Sequence, residues 1–408
     1  MDGGAFFIPF NCFLLFVNSE GAGRRIIDWG YDMIRFPVFV VVLAVAGTAF
    51  GLDAEPQAKA HDAIERGIAY LRKQQAEDGS WSPRPGPAIT AMAVAVMLDQ
   101  PGIGTGDPEV AGALGYILRH RKPDGGIHGG FLQNYNTAIC LSALSRVRGR
   151  ADAAEAVAEA QGFLRGLQWH GQKDPNGRVV DPNHPYFGGA GYGSHGRPDL
   201  SNTQVMLQGL HDSGVSSDDP AYRRALVFIS RCQGTAENDM FADRIEPDGG
   251  FIYATSTDKD HVGTPETKAG PIAGPGSRLR TYGSMTYAGF KSYVYADLDR
   301  DDARVVDAYR WICRHYTLDR NPGLPEQRKL EGYYYYLMTV GRALDAWGAT
   351  FVHRPDGTRR DWANDLIETL VGLQRPDGSW VNESSRWMEK DPNLVTCYAL
   401  IALTHAAR

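Results

Sequence analysis

The chain has 408 residues, 43% of them hydrophobic and 22% charged, with a formal net charge of -6 and a pI near 6.0. Such a chain can bury a large core. A mildly acidic sequence without a Lys/Arg run lacks the electrostatic footprint of a nucleic-acid binder, so that class of partner is excluded.

In chain order, the first feature has the pattern of a targeting segment. From Met33, Arg35 precedes an apolar run, Phe36 to Ala46, followed by the small residues Gly47, Thr48, Ala49 and Gly51. A positive residue, a short apolar stretch and small residues in that order read as a secretory signal peptide. The run is short for a spanning helix, which needs about 20 apolar residues. The expectation is that residues 1–54 are an N-terminal extension and signal with Met33 as the start. Residues 55–408 then form one exported domain, periplasmic or extracellular, with no stable membrane span after cleavage. The upstream stretch Phe6 to Val17 favours a membrane anchor if it is translated.

One string then recurs. Gln74-Gln-Ala-Glu-Asp78-Gly79-Ser80-Trp81 near the start is matched by Gln374-Arg-Pro-Asp377-Gly378-Ser379-Trp380 near the end. Weaker copies are Lys122 to Gly126 and Glu246 to Phe251. Eroded ones are Gln168 with Asp174 to Gly177, and Asn321 to Gly323. Each copy follows an amphipathic stretch, the first carrying Ala63, Ile64, Ile68 and Leu71 on one face. Each precedes a stretch with few charges: Ile89 to Leu98, Thr137 to Val147, Thr203 to Leu210, Met285 to Tyr295, Tyr333 to Trp347 and Val395 to Ala406. A one-sided helix beside an all-round apolar helix means an outer layer packed on an inner one. Six such pairs predict an all-α (α/α)6 toroid. Asp-Gly supplies a tight reversal, Gln a hydrogen bond to that turn or a neighbouring backbone, and Trp an apolar seal. Gly171 to Leu200 and Thr235 to Leu279, rich in Gly and Pro, read as insertions at one rim.

Here a family resemblance appears. Arg66-Gly67 through Tyr70 and Gln74 to Gly79-Ser80-Trp81 resembles the QW repeat of squalene–hopene and oxidosqualene cyclases, and Leu370, Gln374, Gly378 and Trp380 match its second half. The resemblance spans roughly Ala58 to Arg408. It implies the α/α toroid shared by terpenoid cyclases, protein prenyltransferase β subunits and complement thioester domains.

The family's chemistry is harder to match. Class II cyclases protonate their substrate with an aspartate of a D-x-D-D-T motif that opens an inner helix. Asp299-Arg300-Asp301-Asp302 is a literal D-x-D-D, but it follows an inner helix and precedes an outer one, where aspartates are caps. At the helix start that resembles the acid-bearing one, Asp199-Leu200-Ser201-Asn202-Thr203, Ser201 replaces the proton donor. Ser201 and Asn202 are also good helix caps. The zinc site of prenyltransferases is unmatched too. Leu394 to Leu400 resembles its His-bearing helix with Val395 in the His place, and Tyr282-Gly283-Ser284 offers no ligand where D-x-C would fall. Arg231-Cys232-Gln233-Gly234 is not a thioester string. Widely spaced cysteines and eleven His without a ligand spacing predict no metal and no cofactor. Gly188 to Gly193 lacks the strand a dinucleotide loop needs.

The residues left as site candidates are Asp199 and Glu331 as carboxylates, with Ser201, Asn202, Tyr282 and Tyr333 at a cavity or rim. Aromatic residues on two inner helices suit a cation or isoprenoid, and equally suit packing between layers. Three readings follow. The first is a toroid that binds a lipid, an isoprenoid or a protein without the family's chemistry. The second is an isoprenoid- or lipid-modifying enzyme with rearranged catalytic residues. The third is a polysaccharide-active enzyme using paired carboxylates among Asp199, Asp243, Glu246 and Glu331. For the targeting segment, N-terminal sequencing of exported protein is expected to find a first residue between Gly47 and Glu55; an intact Phe36 to Ala46 segment overturns that reading.

Overall fold

A computed structural model of the chain describes residues 54–193, 196–274 and 276–408. The targeting segment and its cleavage sites up to Asp53 lie outside the described residues. Twelve α-helices follow in order: α1 (Ala54–Gln74), α2 (Ala88–Leu98), α3 (Pro108–Leu118), α4 (Gln133–Leu144), α5 (Ala151–Leu167) and α6 (Leu200–Asp212) form the first half. The second half comprises α7 (Pro220–Arg231), α8 (Gly283–Tyr295), α9 (Ala303–His315), α10 (Tyr333–Trp347), α11 (Trp362–Leu373) and α12 (Pro392–Ala406). A two-stranded antiparallel ribbon, β1 (Val352–His353) with β2 (Arg359–Arg360), joins α10 to α11. Among the described residues, no helix is long and apolar enough to cross a membrane.

Even-numbered helices pack in a closed cycle, α2 on α4, α6, α8, α10, α12 and back to α2, and odd-numbered helices lie outside them. This is the expected (α/α)6 toroid. The sequence already separates the layers. Ten of the eleven α2 residues are buried, whereas α9 buries only Val305, Ala308, Trp311 and Ile312.

The recurring string is the joint between hairpins. Gln75 donates from Nε2 to the carbonyls of Gly79, in its own turn, and Glu109, in the next outer helix, at 3.0 and 2.8 Å. Gln374 does the same to Gly378 and to Ala63 of α1, at 3.0 and 2.9 Å, and so closes the ring across 311 residues. Gln168 and Gln233 repeat the bridge to Ala221 and Arg304. Gly79 and Gly378 sit at φ 86° and 89°, where only glycine is unstrained. A Cβ there would lie 2.4 Å from the carbonyl oxygens of Gly112 and Arg66, each in the neighbouring outer helix. The turn must therefore be glycine twice over, for its backbone and for the approach.

Trp81 and Trp380 are fully buried, and their indole N–H groups donate to the Leu71 and Leu370 carbonyls. Each satisfies a carbonyl of the last turn of an outer helix that lacks an intrahelical partner. A third element of the repeat was not read from the sequence. The backbone N–H after each turn (Trp81, Ile127, Ala190, Phe251 and Trp380) donates to a threonine near the start of the following inner helix. Thr203, which together with Asp199 matches the ends of the cyclase motif, is one of these five. In the α9–α10 hairpin Tyr336 takes the place, its hydroxyl donating to the Thr317 carbonyl at 2.7 Å.

Trp81→Ala and Trp380→Ala each delete a buried aromatic and strand a helix-end carbonyl. Each is expected to cost about 3–5 kcal/mol of unfolding free energy, read from chemical denaturation. A change under about 1 kcal/mol contradicts this account of the joint.

Candidate functional site

The six inner helices start at the same end of the ring, and their first turns enclose a cavity of about 270 Å³. Its wall takes Ile89 from α2, Tyr135 from α4, Ser201 from α6, Met285 from α8, Tyr335 from α10 and Leu394 from α12. Loops at the mouth add Tyr192, Tyr253, Tyr282, Trp387 and Glu389. The lining is thus aromatic and aliphatic, with a few polar groups.

A tyrosine layer forms the floor. The hydroxyls of Tyr135 and Tyr398 are 2.9 Å apart, and the ring of Tyr398 meets Tyr335 edge-on. The Tyr335 hydroxyl lies 3.1 Å from Ser201 Oγ and accepts from Gln204 Nε2 at 2.9 Å. Ser201, at the position where cyclases carry a proton donor, therefore holds a tyrosine in place.

Two buried carboxyl groups border this space, and both cap helices. Asp199 is the N-cap of α6 and accepts from the backbone and side-chain amides of Asn202, both at 2.8 Å. Burial raises its pKa above the ordinary carboxylate range, against those hydrogen bonds and the nearby Arg197. Glu389 has no exposed surface and caps α10 from a different hairpin. Its Oε1 accepts from the Tyr335 N–H at 2.8 Å, and its Oε2 accepts from the Tyr334 N–H at 3.2 Å and from Asn382 Nδ2 at 2.5 Å. Three donors at a helix N-terminus favour the carboxylate. Burial outweighs them and pushes the pKa up to about 7.

The mouth is backbone held in unusual conformations. Leu132, Trp387 and Met388 line the cavity with φ of 49°, 52° and 65°. Non-glycine residues in this region cost of order 1–3 kcal/mol each and collect at functional sites. Trp387 lies over Gly332, where a Cβ would come within 2.9 Å of its ring. Trp387 and Met388 nevertheless remain 39% and 44% exposed, so apolar surface stays in contact with solvent at the opening.

Of the candidates from sequence, Ser201, Asn202 and Tyr282 line the cavity, and Asp199 stands behind Asn202. Glu331 does not line it. Its carboxylate pairs with Arg328 at 2.7 Å, which holds its pKa below the usual range. Tyr333 turns away and donates to the Leu318 carbonyl. The cavity acid is Glu389, and the inward tyrosine of the run is Tyr335. The carboxylates offered for glycan chemistry do not gather, since Asp243 is exposed and neither it nor Glu246 reaches the cavity. Asp299 and Asp301 are exposed, and Asp302 caps α9 through the Arg304 N–H at 2.9 Å. Among the described residues, no group of three or more His, Cys, Asp or Glu is placed to hold a metal ion. Glu389 lies in Ser384-Ser-Arg-Trp-Met-Glu389, where Trp and Met in a polar loop were the one available signal.

Glu389 makes stability depend on pH. Its folded pKa of about 7 exceeds the ordinary 4.5, so its contribution is full below about pH 4.5 and is lost as pH rises through about 7. At about 1.4 kcal/mol per unit, the loss approaches roughly 3 kcal/mol. Unfolding of wild type and Glu389→Gln at pH 5 and pH 8 is expected to differ in that sense, with the variant lacking the decline. Parallel profiles overturn the assignment.

No family model matches the sequence, and no curated protein sequence matches it. Solved structures do match in fold. A D-mannose isomerase aligns with a TM-score of 0.53 at 11% identity, over 87% of this chain and 98% of its own. A family 76 glycoside hydrolase (mannosidase) from Bacteroides thetaiotaomicron aligns at 0.50 and 11% identity, over 86% and 98%. The type II terpene cyclase MstE from Scytonema, with its product merosterolic acid A bound, aligns at 0.48 and 15% identity, over 86% and 98%. At these identities the likeness is one of fold: this chain is an α/α toroid, as are the D-mannose isomerase and the mannosidase.

Proposed function

We propose that the toroid binds a compact apolar ligand, isoprenoid- or lipid-like, in the cavity framed by the inner-helix N-termini, and that it does so without the aspartate-driven cyclisation or the zinc chemistry of the families it resembles. The observation that carries this reading is the lining: an aromatic and aliphatic wall around a floor of hydrogen-bonded tyrosines, with Glu389 as the buried polar anchor. Apolar pockets with few, fixed polar groups are the usual form of a small-molecule site. Size narrows the ligand. A dry cavity of roughly 150 Å³ takes one benzene, so by the same scale this one suits about ten to twelve non-hydrogen atoms. That is the size of a monoterpenoid and well short of squalene. Export through the N-terminal signal is part of the same proposal.

A second reading, an enzyme acting on such a ligand, is favoured by one observation. Glu389 exchanges its proton near neutral pH while facing the cavity, as a general acid or base requires. Protonating an unactivated alkene demands a far stronger acid, and Ser201 is none.

Native mass spectrometry with added geraniol and with squalene tests the binding reading. One geraniol per chain is expected, with no squalene retained. Met285→Trp, which fills the cavity, should abolish the geraniol complex while leaving the thermal transition within a few degrees. Retention of squalene at one per chain, or undiminished geraniol binding by Met285→Trp, overturns the proposal. Gas chromatography of squalene incubations is expected to show no cyclic triterpene.

A further inference from the structure

Beneath the tyrosine floor lies a second hollow of about 50 Å³, which shares Tyr135, Tyr335 and Tyr398 as a common wall with the upper cavity. Its most unusual lining group is Lys291 of α8. The side chain is 2% exposed and donates to Gln208 Oε1, with the Tyr295 ring 5.3 Å away. No carboxylate hydrogen-bonds it. The charged groups around it are Arg342 from α10 and Asp212 from α6. Asp212 is already engaged by Gln208 Nε2 at 2.6 Å, and Arg342 Nη1 lies 3.6 Å from its other oxygen. Tyr295 and Tyr335 are the remaining titratable neighbours, and burial raises both, so they stay neutral. A buried lysine is normally paired or absent. This one faces open space in which Gln204 Oε1 is buried without a partner, beside the Ser142 hydroxyl, which faces the Asp212 carboxylate.

We propose that Lys291 is a nucleophile that captures an aldehyde, carried on a small or compact apolar body, by forming an imine. Burial, and then the Arg342 charge, drive its pKa well below that of an ordinary lysine, which leaves the amine lone pair free at neutral pH. That lone pair adds to the carbonyl carbon, the two amine protons pass in turn to the carbonyl oxygen, and water leaves as the C=N bond forms. One amine and one aldehyde give one imine and one water, with no oxidant or reductant. The Ser142 hydroxyl and the partnerless Gln204 carbonyl supply a donor and an acceptor for the departing water, and Asp212 supplies a counter-charge for the protonated imine.

The capture of a larger aldehyde rests on the apolar-cavity reading, because its body must occupy the space above the tyrosines. Two probes separate the ideas. Formaldehyde, with two non-hydrogen atoms, fits without the upper cavity, whereas citral, a ten-carbon enal, needs it. The full chain is incubated at pH 7 with each probe and sodium cyanoborohydride, which reduces the imine to a stable amine, and is then mapped by peptide mass spectrometry. Lys291 is expected to carry the adduct at least ten-fold faster than the exposed Lys73 and Lys259, and Lys291→Met to lose it while the thermal transition is retained. Labelling by both probes supports both readings. Labelling by formaldehyde alone supports the nucleophile and removes the apolar-ligand reading. Labelling of Lys291 no faster than the exposed lysines, by either probe on the wild-type chain, overturns the inference whatever the variant does.

Discussion

The whole ring depends on how closely each turn approaches the next outer helix. At Gly79 and Gly378 there is no room for a single carbon between the turn and the carbonyl of the neighbouring helix. The glutamine three residues before the turn's aspartate then ties its own turn and that neighbour together with one amide group. Because this contact fixes spacing and angle at once, each hairpin is set relative to the next; the same close approach recurs at Gly125, Gly188 and Gly249, and the α9–α10 turn differs, its Gly323 meeting the Thr281 carbonyl. The inner helices then need only fill the ring with apolar side chains, which is why they carry so little sequence detail of their own.

Setting every inner helix in the same direction has an electrostatic cost at one end. Six N-termini converge there, each with unpaired N–H groups and the positive end of a dipole. Acceptors come from side chains that are themselves buried or half-buried. Asp199 and Asp391 cap from their own chain segment, whereas Asn136, Asn321 and Glu389 reach across from elsewhere to α2, α8 and α10. The cavity's polarity is thus a by-product of capping. Of these caps Glu389 lines the cavity, so at that residue stability and chemistry cannot be altered independently.

This explains which features were legible in the sequence. Helix layers were, since α2 or α12 is apolar all round and α7 or α9 is not. The joints were, since Gln, Asp-Gly and Trp recur as a string. The threonines that receive the N–H after each turn were not, because one hydroxyl at a helix start is indistinguishable from an ordinary cap. Within Tyr333 to Tyr336, each residue turns about 100° around the helix, so an uncertainty of one residue at the helix start decides which tyrosine faces inward. Tyr335 faces the cavity, and Tyr333 was the expectation. Glu389 was out of reach for a different reason. The N–H groups it accepts from lie 54 and 55 residues earlier, and nothing local in a polar loop announces a partner at that range. Glu331 drew notice by adjacency alone, and adjacency to Arg328 is what disposed of it.

Closure through Gln374 and Ala63 also gives the chain an order of events. In an open helical array each unit is complete once its neighbour exists. Here α1 packs on α11 and α12, so among the described helices the first to be made waits for the last two. Until then its apolar stripe has no covering, and a truncated chain exposes both raw edges of the ring together. The same geometry makes the choice of termini arbitrary: joining residue 408 to residue 54 through a linker and cutting at any one of the other outer loops would leave every joint intact and merely change which hairpin has to wait.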